Sequence, residues 1–117
     1  MDNSSGPLGE QLAAEYLRKA GYEIVCRNYR TRFGEIDIVA KDSRFLVFAE
    51  VKTREAGSLT DPLESVTPAK RRKLVRTAML YLQKFQTELQ PRFDVIGIIL
   101  ESPLPAVRHI ENAFGAD

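Results

Sequence analysis

Residues 34–54, GEIDIVAKDSRFLVFAEVKTR, decide the fold. The runs EIDIVA (35–40) and FLVFAEVK (45–52) are rich in β-branched and aromatic residues, and the polar link KDSR between them marks a turn. The stretch therefore reads as a β-hairpin. Side chains alternate across a strand, so Asp37 shares a face with Glu35 and Val39, and Glu50 shares one with Lys52, Phe48 and Leu46. A hairpin closing tightly around Ser43 and Arg44 sets Asp37 opposite Glu50. A four-residue loop, Lys41 to Arg44, sets Glu35 opposite Glu50 and Asp37 on the diagonal. Either even-length loop leaves Asp37, Glu50 and Lys52 on one face, within about 5–8 Å of each other. A bulge or an odd-length loop would undo this.

Outward from the hairpin, Tyr22 to Tyr29 reads as a preceding strand and RTRFG as the turn between the two. Before it, Leu8 to Ala20 reads as a helix, with Ser5 as a nearby cap and Gly21 as its left-handed stop. Ala13, Tyr16, Leu17 and Ala20 share one face of that helix, and Glu10 falls at the border of the stripe. Residues 1–6 are expected to be unstructured and residues 53–66 to form a mobile connection. Thr67 and Pro68 cap and open a second helix to about Gln86, in which Leu74, Val75, Ala78, Tyr81, Leu82 and Phe85 recur at helical spacing. Pro91 ends that region. Phe93 to Leu100 is a buried-looking strand, and Ala106 to Ile110 a short fifth one. The order α-β-β-β-α-β-(β) describes a single α/β domain over residues 1–117, a mixed sheet flanked by helices.

Length and composition agree. A chain of 117 residues, 44% hydrophobic and 28% charged, is the size of one domain and buries roughly two thirds of its unfolded surface. One Cys and one His cannot supply a structural zinc site. No G-x-G-x-x-G, G-x-x-x-x-G-K-[ST] or H-E-x-x-H is present, so dinucleotide, P-loop and zincin chemistries have no anchor. An enzyme built from this chain must work with carboxylates and lysines. No signal-like start and no apolar run near 18 residues is present, which predicts a soluble, cytoplasmic protein without a membrane partner.

Net charge is only +1, but it is unevenly placed. Ser65 to Thr87 contains no acid and holds Lys70, Arg71, Arg72, Lys73, Arg76 and Lys84; Arg27, Arg30 and Arg32 form a second cluster. Together they make a local positive surface able to hold phosphates. Asp94, beside Arg92, reads as a structural ion pair, and Tyr29 and Phe33 as packing residues.

Two carboxylates about 5 Å apart repel by roughly 3 kcal/mol at an effective dielectric near 20. Mg²⁺ offsets this well: it prefers carboxylate oxygens, keeps several waters and leaves positions for a phosphate. Asp37, Glu50 and the Val51 carbonyl are candidate ligands for Mg²⁺ or Mn²⁺. With Lys52 alongside, the set is equipped for metal-assisted attack of water on a phosphodiester. The competing reading is a cross-strand ion pair on an edge hairpin.

The surrounding motifs favour the site. Gly9-Glu10 opening a helix, Asn28-Tyr29-Arg30, GEIDIVA (34–40), FAEVKTR (48–54), Lys70 to Leu74, RFDV (92–95) and IENAF (110–114) resemble the bacterial YraN-like family from Gly9 to Phe114. That family is similar to the PD-(D/E)xK nuclease superfamily, with archaeal Holliday junction resolvases as closer relatives. The resemblance implies a restriction-endonuclease-like fold and carries the catalytic roles onto Asp37, Glu50 and Lys52, with Glu10 as an accessory helix-borne glutamate. The superfamily's proline is replaced by Ile36, and Ala49 stands where larger apolar residues are frequent. The expected activity is Mg²⁺-dependent endonucleolytic cleavage of branched or single-stranded DNA, with Lys70, Arg72, Lys73, Arg76, Arg30 and Arg32 on the nucleic acid, and with homodimers known among such relatives. The alternatives are a non-catalytic nucleic-acid-binding module of the same fold and an interaction protein in which the charges serve solubility.

Overall fold

Asp42 closes the central hairpin. Its backbone N–H donates to the Phe45 carbonyl at 3.1 Å, and its Oδ1 accepts from the N–H groups of Arg44 at 2.8 Å and Phe45 at 2.7 Å. The loop is thus the two residues Ser43 and Arg44, the tight alternative. Those bonds also hold the Asp42 carboxyl below its ordinary pKa.

The computed structural model of the protein describes residues 6–58 and 61–116. In chain order it contains α1 (Pro7–Lys19), β1 (Glu23–Thr31), β2 (Gly34–Lys41), β3 (Phe45–Glu55), α2 (Pro68–Lys84), β4 (Gln90–Leu100) and β5 (Ala106–Phe114). The strands form one sheet in the order β1-β2-β3-β4-β5. Only β3 and β4 run parallel, joined through α2; all other neighbours are antiparallel. The mixed α/β architecture with helices on both faces is as expected.

Each helix covers one face. Ala13, Ala14 and Leu17 of α1 pack on Ile38, Ala40, Val47, Ala49, Val51, Ile96 and Ile98. Leu74, Ala78 and Tyr81 of α2 pack on Val39, Leu46, Phe48, Phe93 and Val95. Truncating the fully buried Leu17 to Ala would cost about 2–5 kcal/mol. Gly21, at φ +101°, lets the Tyr22 N–H return to the Leu17 carbonyl at 2.9 Å and ends α1 as expected.

Several boundaries differ from the sequence reading. Helix α1 begins at Pro7 with Gly6 as its cap and no side-chain cap; Ser5 and the other residues 1–5 lie outside the described residues. The second helix stops at Lys84. Strand β4 starts at Gln90, so Pro91 lies inside it; β5 pairs with β4 only from Phe93 onward, leaving Pro91 an open side. Strand β5 runs nine residues, past Ile110 to Phe114. Its exposed charges Arg108 and Glu111 hide the alternation expected of a strand, as suits a sheet edge.

The segment 53–66 is not one loose connection where it is described. β3 continues through Thr53 to Glu55, and Pro62–Ser65 forms a single 3-10 turn whose cap, Asp61, accepts from the Leu63 N–H at 2.9 Å. The Arg54 guanidinium donates to the Ser65 hydroxyl. Pro62 sits on Gly97 so closely that a Cβ there would lie 2.3 Å from the Pro62 ring.

Candidate functional site

β2 and β3 are joined by only four ladder pairs, from Lys41 with Leu46 to Ile38 with Ala49. Beyond them β2 stays paired with β1 down to Gly34, and β3 stays paired with β4 up to Glu55. The sheet forks there. Asp37 and Glu50 are the first residues past the last ladder pair.

A local kink aims Asp37 into the fork. Asn28 lies between Arg27, paired with Ile38, and Tyr29, paired with Ile36, so it stands across from Asp37; its φ is +56°. Side-chain alternation reverses at this point. Ile36 packs under α2 whereas Ile38 packs under α1, so Asp37 lies between the two faces and points along the sheet. Its Oδ2 accepts from the Val51 N–H at 2.8 Å. The expectation that Asp37, Glu50 and Lys52 share one face is therefore corrected in detail: Asp37 lies in the plane of the sheet, but still beside Glu50, with which it shares a side-chain hydrogen bond.

Lys52 is fully buried, and its Nζ lies 3.0 Å from Glu50 Oε2. The contact lacks hydrogen-bond geometry, so this ammonium is buried without any hydrogen bond. Desolvation, then the Glu50 charge and hydrogen bond, push the Asp37 carboxyl up to about 9, against the Val51 N–H that favours its charge. In the protein alone, burial therefore favours the protonated form of Asp37.

Glu10, 5% exposed, approaches from α1. Burial raises its pKa, the hydrogen bond from Asn28 opposes that, and Glu35, Arg27 and Glu50 act in smaller measure. Arg27 NH2 is 3.8 Å from its Oε1. Gly9 fixes the distance between α1 and β3: a Cβ there would lie 2.1 Å from Thr53 Oγ1. A small residue just before Glu10 is what lets this carboxylate reach the fork.

Among the described residues no three His, Cys, Asp or Glu side chains gather as metal ligands. The donors at the fork are two carboxylates and one backbone carbonyl. The N–H and C=O of an extended residue point to the same strand edge, so the Val51 carbonyl faces the fork with its N–H. Such a set suits Mg²⁺ or Mn²⁺, which are bound through one or two carboxylates with retained waters, and does not suit zinc. A buried Asp37 carboxyl beside the Glu50 carboxyl, with an ammonium that makes no hydrogen bond, is unsatisfied as it stands, and a divalent cation fits that need.

The structure brings the two basic clusters together. The guanidinium carbons of Arg32 and Arg76 lie 5.0 and 4.6 Å from the Phe33 ring centroid. A Cβ on Gly34 would lie 3.6 Å from Lys73 Cβ, and Thr31 Oγ1 is 3.4 Å from Thr77 Oγ1. The β1–β2 turn is thus seated on α2, three residues, or about 10 Å of strand, from Asp37. Arg72, Lys73 and Arg76 are exposed; Arg30 is tied to Glu35 at 2.6 Å. Lys70 sits in the first turn of α2, where its N–H donates to Thr67 Oγ1 at 3.2 Å. Phe33 does pack, as expected, and Tyr29 packs edge-on against Tyr81.

A second polar cluster was only half legible. Arg92 grips Asp94 with two bonds of 2.9 and 2.8 Å, the anticipated ion pair. His109 Nε2 joins Asp94 Oδ2 at 2.7 Å, Tyr16 OH joins His109 Nδ1 at 2.9 Å, and Tyr22 OH accepts from Arg92 at 2.7 Å. Burial opposes the Asp94 charge, but His109, Arg92 and the Asn112 N–H outweigh it and hold its pKa low. This cluster ties α1 to β4 and β5. No local signal joins Tyr16 to His109 across 93 residues.

The profile described as "Uncharacterised protein family UPF0102" matches residues 9–98, which include Glu10, Asp37, Glu50, Lys52 and the basic residues of α2. A UPF0102 protein of Syntrophomonas wolfei is 44% identical over 117 residues, 97% of this chain and 100% of its own length. One from Geobacter sulfurreducens is 47% identical over 111 residues, 93% of this chain and 87% of its own. Another from Symbiobacterium thermophilum is 47% identical over 121 residues, 99% of this chain and 100% of its own. The chain belongs to the UPF0102 family, the YraN-like family its motifs resemble. No helix among the described residues is long and apolar enough to cross a membrane.

Proposed function

We propose that this UPF0102 member is a metal-dependent phosphodiesterase of restriction-endonuclease-like architecture that cleaves DNA at the β2–β3 fork. The observation that carries the reading is the meeting of Asp37, Glu50 and a buried, hydrogen-bond-poor Lys52 where the sheet opens. Burying Asp37 and Lys52 beside a third ionisable group, Glu50, is costly unless they act on something.

Asp37, Glu50 and the Val51 carbonyl would hold Mg²⁺ or Mn²⁺, which supplies a polarised phosphate and a bound water of lowered pKa. The Val51 N–H fixes one Asp37 oxygen and leaves the other for the site. Lys52 has donors to spare once Glu50 is engaged, and it sits where it can hold the attacking water or the negative charge on the phosphoryl oxygens. Glu10 orders solvent from the α1 side. Arg32, Lys73 and Arg76 hold the backbone of the strand near the mouth of the fork. Hydrolysis forms one P–O bond to water and breaks one P–O ester bond, the proton leaving with the alcohol.

The test is cleavage of labelled duplex, single-stranded, flap and four-way-junction DNA with Mg²⁺ or Mn²⁺. Cleavage that disappears in both Asp37→Asn and Lys52→Ala is the expected result. DNA binding without cleavage on any substrate would favour the non-catalytic module, a reading the absence of a third clustered carboxylate or imidazole among the described residues also suits.

A further inference from the structure

The N-terminal half of α2 and the C-terminal end of β5 enclose a groove of about 900 Å³. Four cations, Arg71, Arg72, Lys73 and Arg76, line it, and among the described residues its lining contains no acid. Between the cations lie apolar surfaces, chiefly Val75, Pro68 and Phe114. The Arg71 guanidinium is 5.5 Å from the Phe114 ring centroid, and that ring stacks on Phe93 at 5.1 Å with 22° between planes. Phe114 is thus held by Phe93 and Arg71 as a fixed apolar wall at the edge of the sheet. Arg71 is itself fixed, its Nε donating to the Val66 carbonyl at 2.9 Å.

Lys73 and Arg76 belong both to this groove and to the seat of the β1–β2 turn. The cationic surface therefore continues without a break from Phe114, along α2, to the turn that leads into Asp37. A ligand lying along it meets phosphate-binding charge and apolar surface in alternation. A duplex offers its phosphates outward and keeps its bases stacked inside, so it would use the charges and leave the floor bare. A single strand uses both.

We infer that this groove seats single-stranded DNA, holding the strand that runs to or from the fork. The inference adds a substrate class and a second binding surface to the function proposed above, with Arg71 and Phe114 as its far wall. It rests on that reading only for what happens at the fork, since strand binding in the groove needs neither metal nor cleavage.

The experiment measures binding of a fluorescent oligo(dT) and of a hairpin duplex of equal length, by anisotropy across a salt series in EDTA. It uses Asp37→Asn protein, with and without Arg71→Ala plus Arg72→Ala. The expected result is tighter binding of oligo(dT) than of duplex. The double variant should weaken oligo(dT) binding about tenfold and reduce the salt slope by about 1.4, two contacts at about 0.7 each. Because Arg71 braces Phe114, Arg72→Glu alone serves as the second variant, exposed and free of packing, with the same direction of effect. Equal or tighter duplex binding, or unchanged oligo(dT) affinity in both variants, overturns the proposal. Loss of cleavage in Asp37→Asn with groove binding intact speaks to the fork alone, so the two readings fail separately.

Discussion

Asp37 takes through its side chain a backbone donor that the β2 strand leaves unpaired: the Val51 N–H, 2.8 Å from Oδ2, just past the last β2–β3 ladder pair. A carboxylate thereby substitutes for a strand, and the same oxygen pair is turned toward Glu50.

Asp37→Asn keeps the acceptor for Val51 and puts a neutral amide beside Glu50 in place of a buried carboxyl. Without divalent metal at pH 8, the variant should be more stable than the parent by about 1–3 kcal/mol in urea unfolding. It should have lost cleavage altogether. A less stable variant would show that the Asp37 carboxylate is a structural ion and not a strained functional one.

Asn28 occupies the left-handed region opposite Asp37 and reaches Glu10. Asn28→Ala should destabilise by about 1–2 kcal/mol, the cost of that conformation for an ordinary residue, whereas Asn28→Gly should be nearly neutral in stability. Both lose the Glu10 contact, so cleavage should fall in each. Unfolding curves beside rates separate the two effects.

Gly9→Ala forces a methyl into Thr53 Oγ1, so the Thr53 side chain must turn away or α1 must lift from β3. A loss of about 1–3 kcal/mol is expected by thermal or urea unfolding. Glu10 moves with the helix, so the rate should drop by more than the unfolded fraction explains.

Asp94 contributes to the acid side of the stability curve. Its pKa is held below the unfolded value near 3.8, so its contribution is complete above that value and is lost as pH falls through the lower folded one. Parent protein should therefore lose stability steeply below about pH 4. Asp94→Asn should show a weaker slope there. At neutral pH it should be weaker by about 3–5 kcal/mol, because Arg92 stays buried without its partner. Parallel curves for the two proteins below pH 4 would refute the assignment.

The site was legible because it is local. Asp37 and Glu50 lie thirteen residues apart in one hairpin, so turn length and alternation fix their meeting, and Ser43 with Arg44 proved to be the loop. What alternation hid was the reversal at Asn28 and Asp37, since nothing in an Asn within a strand announces a positive φ. From its own helix Glu10 was visible as a charge at the edge of an apolar stripe, and the family resemblance gave it an accessory role; its use depends on how closely Gly9 lets α1 approach. The Tyr16–His109–Asp94 chain was out of reach because it requires knowing that β5 extends to Phe114 and lies near α1. Charge spacing showed the basic residues of α2, but not that Phe114 faces them.

Four ladder pairs are all the backbone that stitches one half of the sheet to the other. The carboxylates stand at the open end of that seam, one on each side. Anything gripped by both acts as a rivet across the shortest ladder of the sheet, and anything released lets the join breathe. The amide proton of Val51, guarded by a side chain and not by a neighbouring strand, is therefore a gauge of the seam: its exchange with solvent should slow when Mg²⁺ is added and quicken when EDTA strips it away.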